Sequence, residues 1–576
     1  MISRFYQQEL NHLRELAVEF SKAHPALAPM LSGPSQDPDV ERLLEGTAFL
    51  TGLVRQKLED DFPEVIHGLM RLIFPHYLRP IPSTTIVTFS PKKSLKEALV
   101  VPAGTALDSV PVEGVKCGFR TCYDVEVFPL SVIEARLVDQ PGRRPVITLR
   151  LAVTGVPLAA WKSSRLRLHL AGPYGEAATI WSLLIGNLDS WSVSAPGRTA
   201  VALGPENLKP VGLVNEESLL PYPHQSFPGY RILQEYFILP QKFLFLDLLG
   251  LDRWQDRGPD SEFEIAFVLK SLPPLPPQVR ADSFVLFATP AVNIFPHDAD
   301  PVTLDHRQPE YRLVPSGGQP DKYQVYSVES VVGFASGTVR RRPYAPFELF
   351  VPSTEDTPSY YVNTRPSAVR NIQETYLSVA YPDKAAAPET ETLSIKLWCT
   401  NAALPENLKL GDISQATSSS PDLCAFKNIL PPTSVVQPPL GQNLLWRFLS
   451  HLSLNLLTLA TRDNLKAMLR LYIFPDSRDR AVILANEKRL EGIVDLSVRT
   501  VNRLVAGLAL RGQEINLKLN PDHFASRGDL YLFGGVMDYF LGTYASVNCF
   551  THLTVTDSLK GDRYEWPVRT GDRQLI

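Results

Sequence analysis

The chain lacks most of the features that name a function directly. It has five cysteines in 576 residues: Cys117, Cys122, Cys399, Cys424 and Cys549. Few and odd in number, they describe no disulfide framework and point to a reducing compartment. Cys117 and Cys122 are separated by four residues, with no second Cys or His pair nearby, so a four-ligand zinc site has little support. A positive excess is also missing. With 57 basic and 61 acidic residues the formal charge is −4, whereas a dedicated nucleic-acid binder usually carries a basic excess. The short run Arg340-Arg341-Arg342 is a local exception. No apolar run reaches the ~18 residues of a spanning helix. The most apolar stretch, "YFILPQKFLFLDLLGL", is interrupted by Pro240, Lys242 and Asp247. The N-terminus, "MISRFYQQELNHLREL", is polar and charged, unlike a signal peptide. These absences predict a cytoplasmic chain without nucleic acid and without direct membrane insertion. The phosphate-loop, dinucleotide, nucleophile-elbow and HExxH zinc patterns are absent as well.

What the chain does have is proline. Fifty prolines amount to about 9% of residues against a usual ~5%. Proline is excluded from helix interiors and central strands, so the composition favours many short strands, turns and fixed connectors. Residues 1–83 read as helical. Tyr6, Leu10, Leu13, Ala17 and Phe20 recur at helical steps. A second helix starts at "DPDVE", where Asp37 caps and Pro38 suits the first position, and continues through Val40, Leu43, Leu44, Thr47, Leu50, Val54 and Leu58. A third runs from Pro63 to Ile73 and ends at Pro75.

After Thr84 the period becomes two. "VITLRLAV", "SRLRLHL" and "FEIAFVL" alternate apolar and polar residues, which predicts antiparallel strands with one buried face and one wet face. In "SRLRLHL" the wet face would carry Arg165, Arg167 and His169. The fold class is therefore multidomain α+β: a helical N-terminal region (1–83), a sandwich-like β-rich domain (84–270), a second β-rich domain (281–430) with strands such as "SFVLFATP" and "LSIKLWCT", and a mixed C-terminal domain (440–576). "SLPPLPPQ", residues 271–278, reads as a stiff spacer. In the last domain "NLLWRFLSHLSLNLLTLA" and "DLYLFGGVMDYFLGTYASVNCF" read as helical, while "EINLKLN" and "THLTVTD" read as strands.

Two clusters resemble reaction centres. "NIFPHDADPVTLDHR" places His297, Asp298, Asp300, Asp305 and His306 within ten residues, and imidazoles with carboxylates can hold a divalent metal that activates water. A metal-dependent hydrolase is the reading this loop would carry. Against it, the spacing matches no derivable site, and Pro296 and Pro301 mark a turn-rich loop where aspartates cap backbone. "FPHYLRPIPS", residues 74–83, holds a histidine, a tyrosine and an arginine among three prolines. Pro80 and Pro82 push Arg79 and Ile81 toward extended geometry, so the segment reads as a rigid joint from helix into the strand beginning near Thr84.

Longer blocks carry a resemblance. "RFYQQELNHLRELAVEFSKAHPALAPML", "DPDVERLLEGTAFLTGLVRQKLEDDFPEVIHGLMRLIFPHYLRPIPS", "LLPYPHQSFPGYRILQEYFILPQKFLFLDLLGLD", "FATPAVNIFPHDADPV", "LFGGVMDYFLGTYASVNCFTHL" and "EWPVRTG" together span Arg4 to Gly571. They strongly resemble TssF, the VasA/ImpG family of baseplate subunits in bacterial type VI secretion systems. The resemblance implies a structural protein with no catalytic residues and no cofactor. It implies two copies joined to one TssG in a wedge, contacts to TssK, TssE and the spike and tube components, and a cytoplasmic baseplate docked at the inner membrane complex. A wedge protein of a phage tail or related contractile machine is the nearby alternative. Shared helical surfaces follow from such an assembly, and Tyr6, Leu10, Leu13, Phe20, Val54 and Leu58, or Leu445, Phe448, Leu452 and Leu456, are the candidates for them.

Overall fold

The computed structural model describes residues 2–23, 39, 42–54, 68–70, 74–222, 226–317, 322–335, 341–347, 358–366, 373–381, 390–438, 460–474, 478–505 and 508–571. The chain forms two compact units, one within Met1–Leu78 and one within Arg79–Leu440 and Ser450–Ile576.

The first unit is helical. Helix α1 spans Ile2–Ala23. Its stripe sorts by depth: Leu10 and Ala17 are buried, Tyr6 and Leu13 half-buried, and Phe20 exposed. Residues 42–54 and 68–70 are also helical. The Phe74 N–H donates to the Met70 carbonyl at 2.6 Å, a helical bond. Pro75 then opens a short 3-10 turn, Pro75–Leu78. A proline cannot donate the next i→i−4 bond, so the helix tightens and stops there.

The chain enters the second unit in extended form. Ile81 exchanges both backbone hydrogen bonds with Val436, at 2.8 and 3.0 Å, Arg79 stacks over the Tyr326 ring, and the strand Thr84–Pro91 follows. The helix-to-strand course expected of "FPHYLRPIPS" is the one observed, with a 3-10 turn ahead of the extended segment.

The second unit is built on sheets. A six-stranded sheet has the order Ile413–Gln415, Ala106–Ser109, Gly118–Thr121, Ala288–Val292, Thr84–Pro91, Cys424–Asn428. It takes strands from both sides of the proline-rich stretch 271–278, which itself carries neither helix nor strand. A five-stranded sheet runs Val201–Leu203, Leu188–Ser194, Glu262–Leu269, Val146–Val153, Leu130–Val138. A four-stranded sheet runs Leu208–Pro210, Phe245–Leu249, Arg165–Leu170, Phe284–Leu286. The run "SFVLFATP" is two strands, not one. Phe284–Leu286 belongs to the four-stranded sheet and Ala288–Val292 to the six-stranded one. Between them Phe287 adopts φ 54°, a left-handed kink that costs on the order of 1 kcal/mol for a non-glycine residue and redirects the chain from one sheet to the other.

An eight-stranded sheet of Tyr311–Leu313 and strands between Phe295 and Thr400 has its own core of Leu313, Val331, Tyr344, Leu377, Leu393, Ile395 and Leu397. The C-terminal sheet contains a long hairpin, Ile493–Val505 with Leu508–Leu519. The second hairpin strand pairs in parallel with Cys549–Asp557. Parallel neighbours need a crossover, and helix Arg527–Gly542 supplies it.

Among the described residues five further helices lie in this unit: α2 (Tyr174–Gly186), α3 (Pro228–Ile238), α4 (Arg462–Arg470), α5 (Arg480–Glu491) and the crossover helix α6 (Arg527–Gly542). Side chains cap α4, α5 and α6. Thr461, Asp479 and Ser526 each accept a first-turn N–H. Helix α6 is buried along most of its length, which explains why its sequence is apolar all round.

Candidate assembly faces and the buried polar hub

Helices α2, α3, α5 and α6 meet at one carboxylate. Asp529 sits in the first turn of α6 and is fully buried. Its Oδ1 accepts from Tyr174 Oη at 2.7 Å, from Tyr236 Oη at 3.2 Å and from Arg489 Nη2 at 3.3 Å. Its Oδ2 accepts from Arg489 Nε at 3.2 Å and from the Ala525 N–H at 3.1 Å. Arg489 lies over the rings of Tyr174 and Tyr236 and donates through Nη1 to Asn486 Oδ1 at 2.7 Å. Asn486 in turn donates to the Phe237 carbonyl at 3.0 Å. Burial pushes the Tyr236 phenol far above its ordinary value, so it stays a proton donor to the carboxylate. The Tyr174, Tyr236 and Arg489 bonds to Asp529 and the Asn486 bond to Phe237 each tie one helix to another, while Arg489–Asn486 and the Ala525 N–H bond are local.

A second buried carboxylate fixes the approach to α3. Glu235 Oε2 accepts from Arg231 Nη1 at 2.9 Å and from Lys242 Nζ. Oε1 accepts from the Leu219 N–H at 2.7 Å. Lys242 Nζ reaches the Gly212 carbonyl at 2.9 Å, and Arg231 Nη2 reaches the Leu213 and Val214 carbonyls. Burial by itself raises the Glu235 carboxyl, but Arg231 and Lys242 outweigh it and hold it below its usual value. Burial pulls the Lys242 ammonium down to about 8 against the opposing pull of Glu235. Three desolvated charges are tolerable only because each has partners of opposite charge or backbone dipoles.

The quoted sequence blocks converge around α6. Tyr230 Oη and Tyr544 Oη lie 3.0 Å apart, and the rings of Tyr236 and Phe533 are 5.8 Å apart. Gly534 leaves room for the Trp566 ring, which a Cβ would overlap, and Gly528 lets α6 lie against the Ala178 backbone. A glycine in a helix costs about 1 kcal/mol, offset here by close packing. Arg569 Nε donates to the buried Asp538 Oδ2 at 2.5 Å and stacks over Tyr539.

The histidine- and aspartate-rich loop is dispersed by the fold. His297 lies on the strand Phe295–Asp298, stacks on Tyr323 at 4.9 Å and shares a hydrogen bond with the Ser316 carbonyl at 2.9 Å. Asp298 is paired in register with Lys396, and the Asp300 N–H donates to the Val314 carbonyl at 2.8 Å. Asp305 accepts from the Arg307 N–H and from Tyr311 Oη at 2.9 Å. His306 packs edge-on against Tyr381. Of the three aspartates, Asp305 caps backbone through its carboxylate as a loop of this composition predicts, while the bonds of Asp298 and Asp300 are main-chain ones. Among the described residues no group of three or more His, Cys, Asp and Glu side chains could hold a metal ion. All five cysteines are free thiols, and burial pushes Cys117 up to about 11 and Cys122 to about 12. No helix among the described residues is long and apolar enough to cross a membrane.

His169 departs from the alternation. It was expected on the wet face beside Arg165 and Arg167, yet it is buried, tilted against Phe245 at 4.4 Å, with Nδ1 unpartnered. The four-stranded sheet is covered over both faces at this end, so period-two reading fails there. Burial drops the imidazole to about 3, so it is neutral.

The helical residues 42–54 show the reverse arrangement. Leu43, Leu50 and Val54 are 71%, 64% and 60% exposed, while Ala48 is fully buried. Leu43, Thr47, Leu50 and Val54 are spaced 4, 3 and 4 residues apart, which places them on one helix face. On α1, Leu16, Val18 and Phe20 are also exposed. Among the predicted candidates, Phe20 and Val54 are therefore open, Tyr6 and Leu13 partly so, and Leu10 closed. Leu58, Leu445, Phe448, Leu452 and Leu456 lie outside the described residues. The hub residues Asp529, Arg489 and Glu235 were not singled out in the sequence. For Asp529 and Glu235 the local signal was a charge inside a mainly apolar helical run, whereas Arg489 lies among Glu487, Lys488 and Glu491 and had none.

Charges turned inward onto one another, several independent sheets and a helix face left apolar and bare define a class: a multidomain α+β assembly subunit. The family model for "Type VI secretion system, TssF" matches residues 1–573, and the chain belongs to that family. A curated relative, "Type VI secretion system component TssF1" of Pseudomonas aeruginosa, is 31% identical, with 99% of this chain and 98% of the relative covered. Among solved structures, a chain of a TssK-TssF-TssG baseplate subcomplex aligns at TM-score 0.79 and 30% identity, covering 92% of this chain and 98% of that one. A chain of a type VI secretion baseplate complex aligns at TM-score 0.64 and 26% identity over the full length of both.

Proposed function

We propose that this chain is a structural, non-enzymatic wedge subunit of a type VI secretion baseplate. Two copies join one TssG and meet TssK, with TssE and the spike and tube components as further neighbours, in an assembly formed in the cytoplasm at the inner membrane complex. Family membership supports the baseplate role, and the chain similar to it in the TssK-TssF-TssG subcomplex supports TssK and TssG as partners. The observation that carries the interface is the bare apolar stripe Leu43–Thr47–Leu50–Val54. Its heptad-like spacing is the pattern a partner helix packs against. Phe20 and Val54 are the exposed members of the candidate set. Tyr6, Leu10 and Leu13, on the stripe of α1, are its other described members, and Leu58, Leu445, Phe448, Leu452 and Leu456, which lie outside the described residues, complete the proposed set. Co-expression with TssG followed by native mass measurement tests it. A complex with two copies of this chain per TssG is expected. A stable monomer indifferent to TssG would refute it.

A further inference from the structure

The C-terminal sheet ends on a long edge whose far end is guarded by charge alone. Its outermost strand, Ile493–Val505, pairs on one side with Leu508–Leu519, and the sheet order gives it no second neighbour among the described residues. Proteins usually guard such edges by shortness, charged side chains, proline, bulges or cover. This strand has 13 residues and no proline, and its single irregularity falls at the start, between Ile493 and Asp495. Helices α4 and α5 contact the strand, but toward its far end Asn502, Arg503 and Leu504 are all exposed, Leu504 at 73%. The parallel neighbour Cys549–Asp557 reaches only to Arg511. Residues 503–505 and 508–510 thus run past it as a two-stranded ribbon.

The charge on this ribbon has one sign to spare. Arg499, Arg503 and Arg511 are exposed, and none makes an ion pair among the described residues. Glu514 stands opposite Arg499 in register without bonding to it. Strand side chains alternate, so Arg499 and Arg503 share a face roughly 13 Å apart.

We propose that this edge receives an extended strand from a partner protein, whose carboxylates, four residues apart, face Arg499 and Arg503. Main-chain hydrogen bonds to the open edge supply the binding, and the two cross-strand charge pairs fix direction and register. The occupant is an acidic strand. Full-length antiparallel self-pairing of Ile493–Val505 centres on Arg499 and would set that charge against its own copy, which is unfavourable. The inference rests on the assembly role proposed above.

Amide hydrogen exchange decides it, comparing the full chain alone with the assembled complex isolated from cells. Amides across residues 496–504 are expected to slow by about tenfold or more on assembly. A photo-cross-linker at Asn502 should capture a segment carrying Asp or Glu four residues apart. The R499E/R503E chain should lose that protection and about tenfold or more of its hold on the segment, while R499K/R503K keeps both. A complex that forms in full yield but leaves exchange over 493–505 unchanged overturns the inference and leaves the assembly role standing. Capture of a basic segment, or of the same strand from a second copy, also overturns it. Failure to form any complex removes both.

Discussion

Around Asp529, charge is buried; along residues 42–54, leucine is exposed. Each reverses the ordinary sorting of side chains, and for opposite reasons. At the hub, the carboxylate has bonds from Tyr174, Tyr236, Arg489 and the Ala525 N–H, so removal from water is compensated inside the chain. On the helical segment, apolar area is left in water at about 25 cal/mol per Å², a cost that only a covering partner recovers. The hub is therefore chemistry that the chain completes alone, and the stripe is chemistry that it leaves open. A single chain can hold its shape through the first and join an assembly through the second.

The sharpest test of that contrast is Asp529→Ala. It leaves Arg489 buried without its counter-charge, and removing one partner of such a pair costs about 3–5 kcal/mol. Urea unfolding of the chain, or of its complex if the chain alone is poorly behaved, should show the midpoint fall accordingly. A loss below about 1 kcal/mol would mean that water reaches the hub and that the bonds are not closed. Glu235→Ala, with Lys242 and Arg231 left behind, belongs to the same class and should be of similar size.

His169 gives a pH test of the closed interior. Its native value of about 3 lies below the ordinary 6.5. Between those limits the unfolded chain binds a proton that the native chain refuses. Stability therefore falls as pH drops through 6.5, by about 1.4 kcal/mol per unit, or about 2 kcal/mol by pH 5. His169→Phe should flatten that part of the profile relative to the parent chain. An unchanged slope would show that the imidazole reaches solvent or a partner.

How much of this was legible beforehand follows from the range of each interaction. Periodicity reads neighbours in sequence, so α1, the strands Val146–Val153, Arg165–Leu170 and Glu262–Leu269, and the crossover helix α6 could be placed from local pattern. Pro75, Pro80 and Pro82 act on their own backbone, so the turn out of the helix and the extended course into the strand were legible too. Sheet membership was not. Thr84–Pro91 pairs with residues about two hundred and about three hundred and forty positions away, and nothing local to "TTIVTF" names those partners. The kink at Phe287 that splits "SFVLFATP" is a tertiary demand on one residue. The hub was equally hidden, because Tyr174, Tyr236, Arg489 and Asp529 come from four separate helices. His169 misled because an alternating strand presents a wet face only where nothing covers it.

The smallest effect on stability is expected where the contrast is most informative. Leu50→Arg replaces a side chain that is 64% exposed, so the folded chain loses little contact and its unfolding midpoint should shift by no more than about 0.5 kcal/mol. Binding is another matter. If Leu50 lies at the centre of a helix–helix contact, a buried, unpaired guanidinium there should weaken association with TssG by about tenfold to several hundredfold. Native mass measurement at matched concentrations would show the two-copy complex depleted while the chain's own unfolding curve is unchanged. Asp529→Ala should give the converse, a chain that unfolds early but binds through an intact stripe while folded. If Leu50→Arg destabilises the isolated chain by several kcal/mol, the stripe is closed within the chain, and the distinction between the two regions fails.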